Sequence, residues 1–218
     1  MPDLSQTSPS AFPLQGGLVL NKSTFAMQPG EAQELINFEP DIDGGYRRIN
    51  GFTKYNTNIV PVTSASTEEV LLSCIFNDTI IAARGQKIFT AAAGSGSWTE
   101  RDSGRTSAGV YTFERFNFDG NNKLIVADGN NAPTVFNTSF AATDVSSGGG
   151  GEVSTAVTGA KFVAVFKDHM FYAGMSSTPQ EVVFSVPFDE DDFTTGSGAG
   201  SFKVDDTITG LKVFRENL

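Results

Sequence analysis

From residue 67 onward the apolar residues fall in short runs of strand length, separated by clusters of Asn, Asp and Gly, and one pattern recurs. It consists of an apolar run, a turn built on Asp or Asn, a second apolar run, a Gly-containing break and a third run. The first copy predicts strands over residues 70–76, 79–83, 87–90 and 97–101, with a turn at Asn77 and Asp78 and a break at 84–86. The second predicts strands over 110–118, 123–127 and 134–137, with a turn over 119–122. The third predicts strands over 161–166, 169–173 and 181–186, with a turn at Lys167 and Asp168. A fourth opens with residues 209–214. Before residue 60 the pattern is irregular. Pro9, Pro13, Pro29 and Pro40 are spaced too closely for long elements, so residues 1–60 read as an extended arm. Residues 28–38 carry helical spacing at Ala32, Leu35 and Ile36 behind Pro29 and Gly30, which predicts one or two helical turns.

A phenylalanine precedes the turn in each copy, and Phe76, Phe118, Phe166 and Phe214 fall at intervals of 42, 48 and 48 residues. A β-propeller blade of four antiparallel strands takes about 40 to 50 residues, and neighbouring blades bury aromatic and β-branched side chains between them. The expected fold is therefore all-β, a propeller-like array of antiparallel blades over residues 61–218, with units starting near 69, 110, 160 and 208 and an extended N-terminal arm. A β-sandwich with regularly spaced hairpins is the alternative. The array is expected to be incomplete: three units and the first strand of a fourth fall short of the four or so blades a closed propeller needs, which leaves an open edge for a neighbouring chain or for a longer product to complete.

Composition agrees with many turns and flat elements to bury, with 23 Gly and 19 Phe against one Trp. The formal net charge of −10 disfavours direct binding to nucleic acid, since phosphate contacts need clustered cations and the closest approach to a cluster is Arg47 beside Arg48. Cys74 alternates onto the buried side of its run and reads as a small hydrophobe; as the one cysteine it excludes an internal disulfide. No run approaches the roughly 20 apolar residues of a membrane helix, and residues 1–5 lack the features of a signal peptide, so synthesis in a cytoplasm is expected.

Candidate chemistry is sparse. His169 is the one histidine and has neither an orienter nor a nucleophile in a recognisable arrangement. Asp189, Glu190, Asp191 and Asp192, with Asp205 and Asp206, are hard oxygen ligands of the type calcium takes, but they match no calcium-loop register and read as a solvated turn. Residues 41–45 begin like a calcium loop, yet its twelfth position is Phe52. The glycine run at 148–151 lacks a strand-to-helix context for phosphate and reads as a flexible loop between blades. No catalytic residue, metal ligand or cofactor is assigned, and the chain is expected not to be an enzyme. The rival readings are a carbohydrate- or receptor-binding β module with Trp98, Tyr111 and Tyr172 as a stacking platform, and a glycoside hydrolase using the carboxylates at 189–192 with Asp205 or Asp206.

Three segments resemble a known group. Residues 35–55, with Asn37, Pro40, Gly44, Gly45, Arg47, Arg48 and Gly51, resemble the opening of tailed-bacteriophage structural proteins in which such a stretch precedes propeller blades. Ala127-Asp128-Gly129, with Asn131 and Pro133, is similar to their recurrent blade segment. So is the set Tyr172-Ala173-Gly174, Pro179, Val183-Phe184-Ser185 and Asp192-Phe193. The resemblance implies a virion structural protein of the tail hub, nozzle or head-to-tail stabilisation type, cyanophage-like, assembled in the host bacterial cytoplasm. It further implies partnership with other phage structural subunits, as a ring homo-oligomer, with no sequence-specific nucleic-acid binding, no membrane and no enzymatic residues to carry over. Within that expectation, Arg47 and Arg48 offer guanidinium forks to carboxylates of a neighbour, or simply a solvated hairpin. Phe12, Phe25, Phe38 and Phe52 offer aromatic anchors for a partner's groove, or a cap on the propeller.

Overall fold

A computed structural model of the protein describes residues 16–42, 45–64, 68–107, 109–145 and 157–214. The chain divides into two compact units, one ending at Thr53 and one beginning at Lys54. The described residues contain strands and two short 3-10 turns and no α-helix, so the protein is all-β.

Among its described residues the first unit holds two small sheets. Strand β1 (Gly17–Leu18) pairs in parallel with β2 (Glu31–Ala32), and β3 (Phe38–Pro40) pairs antiparallel with β4 (Tyr46–Arg48). The helical turns expected over 28–38 are not formed. Gly30 and Asn37 adopt positive φ (91° and 60°), which breaks the run at both ends. Between them the backbone is spent on pairing: Gly16 N–H donates to Gly30 O and Val19 N–H to Ala32 O.

The second unit is built from three four-stranded antiparallel sheets, each a simple meander. The first is β5 (Val70–Phe76), β6 (Thr79–Arg84), β7 (Lys87–Ala92) and β8 (Thr99–Asp102). The second is β9 (Thr112–Phe118), β10 (Asn121–Ala127), β11 (Thr134–Phe136) and β12 (Ala142–Asp144). The third is β13 (Phe162–Phe166), β14 (His169–Ala173), β15 (Glu181–Phe184) and β16 (Gly200–Lys203). Each opens with a two-residue hairpin whose turn residues have positive φ: Asn77 and Asp78, Asp119 and Gly120, Lys167 and Asp168. Turns of this hand match the right-handed twist of the strands they join. The second turn is tighter than its sequence suggests, since Asn121 and Asn122 already pair with Phe118 and Asn117.

The sheets stack in chain order. Leu72, Cys74, Phe76, Ile81, Ala83 and Ile88 of the first pack on Leu124, Val126 and Phe136 of the second. The opposite face of the second, with Phe116, Phe118, Ile125, Ala127 and Val135, packs on Val163, Met170, Tyr172 and Val183 of the third. Alternation of side chains along each strand makes this possible, because both faces of the middle sheet are apolar. Among the described residues none of the five sheets closes on itself. The strand expected over 209–214 is absent apart from an isolated bridge at Phe214. Beyond β16 the chain instead follows the loop before β15, with Val204 N–H on Gln180 O and Ile208 N–H on Pro179 O, and it lays Ile208 and Leu211 on the outer face of the third sheet.

Candidate functional site

Of the buried polar residues, Arg105, Asp128, Thr134 and Glu190 gather between sheets. Arg105, in the loop from β8 to β9, has a side chain only 3% exposed. Its Nη1 donates to Asp102 Oδ2 at 2.8 Å, its Nε and Nη2 reach Asp128 Oδ2 at 3.0 and 2.8 Å, and its Nη2 reaches Ala132 O at 3.2 Å. Thr134 Oγ1 accepts a further bond from Nη1 and its hydroxyl donates to Asp144 Oδ1 at 2.7 Å. One guanidinium thus ties the end of the first sheet's last strand to the loop after β10 and to β11 of the second, and through Thr134 to β12, using the fork geometry that only arginine supplies.

Asp128 is fully buried and continues the network. Burial opposes its ionisation, but bonds from the N–H groups of Asn131 and Asn130, the Asn131 side chain and the Arg105 charge hold its carboxyl below the usual range. Burial likewise works against the charge of Arg105, and Asp128 and Asp102 outweigh it, so the guanidinium is held charged more firmly than usual. Tyr111 borders the same network, and burial pushes its phenol up. The Asp-Gly-Asn-Asn turn is therefore a binding loop for a guanidinium from the same chain.

The second and third sheets are joined differently. Lys123 of β10 pairs with Glu190 in the loop after β15, and Tyr172 Oη donates to the backbone carbonyl of Glu190 at 2.6 Å. A cleft of about 230 Å³ opens beside this pair, lined by Asn137, Thr143, Asp144 and Asp191 as well as Lys123 and Glu190. Its one lysine is engaged by a carboxylate, which leaves it a packing seam with a polar mouth.

The residues singled out from sequence take separate places. Arg47 pairs with Glu39 across the β3–β4 hairpin at 2.7 Å, both side chains exposed, and Arg48 borders a shallow depression with Asn50 and Phe52. Phe25 and Phe52 are fully exposed and Phe38 is half-exposed. Phe12 and the glycine run at 148–151 lie outside the described residues. His169 points Nδ1 at Ser185 O at 2.6 Å and sits edge-on to Phe184. The acidic run is divided: Glu190 is buried, Asp189 accepts from the Asp191 N–H, and Asp192 caps the N–H and hydroxyl of Thr194. Among the described residues no group of three or more His, Cys, Asp or Glu is placed to hold a metal ion. Trp98, Tyr111 and Tyr172 form no common platform, since Trp98 donates to Asn58 O, Tyr111 packs between the first two sheets and Tyr172 is fully buried. Arg105 escaped sequence reasoning, although it is the one charge in a loop of Gly, Ser and Thr that precedes the Asp128 motif.

No family model matches the chain, and no curated protein matches it.

Proposed function

We propose that the three stacked sheets are β-propeller blades, and that the protein is a structural component of a tailed-phage particle, a tail or head-to-tail connector subunit that acts by protein–protein assembly. The observation that carries this reading is the stack itself: three consecutive four-stranded meanders packed face on face, in chain order, with the recurring phenylalanine before each hairpin turn. The motifs behind the phage resemblance fall at structural positions within it. Asp128 of the Ala-Asp-Gly segment receives Arg105, and Tyr172 of the Tyr-Ala-Gly segment holds the loop that carries Glu190. Function by assembly suits an acidic chain in which buried Arg105, Asp128, Thr134 and Glu190 serve joints between sheets, and whose first unit displays Phe25, Ile42 and Phe52 to solvent. The burial of Tyr172 argues against the glycan-binding alternative in the form that uses it.

A nonsense mutation in the phage gene for this chain tests the proposal. Incomplete particles, restored when the protein is supplied in trans, are the expected outcome. Normal, infectious particles without the protein would overturn it.

A further inference from the structure

The outer face of the third sheet is built like the faces that meet a further sheet. In hairpin register, Phe76, Ala83 and Ile88 of the first sheet correspond to Phe118, Ile125 and Val135 of the second and to Phe166, Ala173 and Val182 of the third. The first set packs on the second sheet, and the second set packs on the third. The third set, with Phe162, Phe171 and Phe184, lies under Ile208 and Leu211 of the segment after β16. That segment therefore stands where a next sheet would.

Its construction is not that of a sheet. Residues 204–212 form no strand. Among the described residues, their hydrogen bonds to the rest of the unit run from Val204 N–H to Gln180 O at 2.9 Å, from Ile208 N–H to Pro179 O at 2.9 Å and from Gln180 Nε2 to Asp205 O at 3.2 Å. Ile208 and Leu211 pack inward, while Asp205, Asp206, Thr207, Thr209 and Lys212 are exposed. Apolar within and polar without is the arrangement that ends a stacked array in water. The cover is thin, since Phe166 is partly buried where its equivalents Phe76 and Phe118 are buried under a whole sheet. A segment held by so few bonds and no ladder opens locally at a lower free energy than the body it covers.

We infer that residues 204–212 are an autoinhibitory strap, which occupies the place of a further sheet and keeps the third sheet's outer face from associating until the strap lifts off. Closed, it presents polar side chains and ends the stack. Open, it uncovers Phe162, Phe166, Phe171 and Phe184 on one face, an apolar patch of the kind that drives association. In a solution of this chain alone, the partner is the same face of a second copy, a self-complementary pairing. The inference rests on the blade reading and not on the placement in a virus particle, which the gene disruption tests separately.

Hydrogen exchange on the wild-type chain supplies the first test: the amides of Val204 and Ile208 are expected to exchange at least about tenfold faster than those of β15. Equal protection would make the segment part of the folded body and overturn the inference. The double variant Ile208→Asp, Leu211→Asp supplies the second, because it removes both inward contacts. It is expected to raise the fluorescence of a hydrophobic dye at least about threefold. By light scattering at about 10 μM its mass is expected to reach about twice that of the wild-type chain. Amide protection of Leu124, Ile125, Val126 and Ala127 is expected to stay unchanged, which shows that the stack remains folded. Failure of either reading to rise in a variant that keeps this protection would overturn the inference, and so would loss of the protection, since a strap lifts without unfolding the sheets beneath it.

Discussion

Arg105 and Asp128 are buried together, so each depends on the other for a counter-charge. Arg105→Met leaves Asp128 charged in a dry seam and is expected to lower the unfolding free energy by about 3–5 kcal/mol, read from denaturant titration. The folded-state pKa of Asp128 is depressed. Its contribution to stability is therefore present above the ordinary carboxylate value and is lost as pH falls through the folded one. Glu68 behaves alike on the surface: bonds from Ser64 and Thr63 lower its carboxyl from 4.5 to about 2, so those bonds weaken as pH falls across that interval. Burial pushes the Cys74 thiol up to about 11. Iodoacetamide at about pH 8 is expected to leave it unmodified in the native protein and to label it fully in denaturant; rapid native labelling would contradict its placement in the core. Cys74 was legible because strand alternation fixes its side. Arg105 was not, because its partners Asp128 and Thr134 lie 23 and 29 residues away, where no local pattern reaches.

At the scale of elements, the hairpins were the readable part, since Asn and Asp tolerate the positive φ that a two-residue turn requires and mark it in the sequence. The last strand of the second and third sheets was not readable. β12 has three residues, and β16 begins with Gly200, whose lack of a side chain leaves room for the Phe184 ring: a Cβ there would lie 2.9 Å from it. The helical expectation over 28–38 failed because backbone pairing with β1 outweighed a weak periodicity. The connections matter as much as the strands. A Cβ at Gly109 would lie 2.7 Å from the Asp128 carbonyl oxygen, whereas one at Gly210 would meet nothing. Gly109→Ala is therefore expected to cost about 1–3 kcal/mol and Gly210→Ala close to none, measured by thermal or denaturant unfolding; equal effects would show that the loop over Asp128 has slack.

Across the second unit, the middle sheet is covered on both faces and the outer two on one each by another sheet. Its residues Leu124, Ile125, Val126 and Ala127 are fully buried. Their amides are expected to exchange with solvent more slowly than those of β5 or β16, as read by hydrogen-exchange mass spectrometry, because they open only when both interfaces part. The chain order of the stack followed from the repeat interval, while what meets its two ends is set by surfaces that no interval describes. The claim that this stack serves a virus particle is tested most directly by purifying tailed-phage particles from cells in which the protein is expressed during infection, then mapping their peptides. Peptides of this chain at a fixed ratio to known tail or connector subunits are the predicted result. Their absence from intact particles, with the protein left in the lysate, would contradict the account.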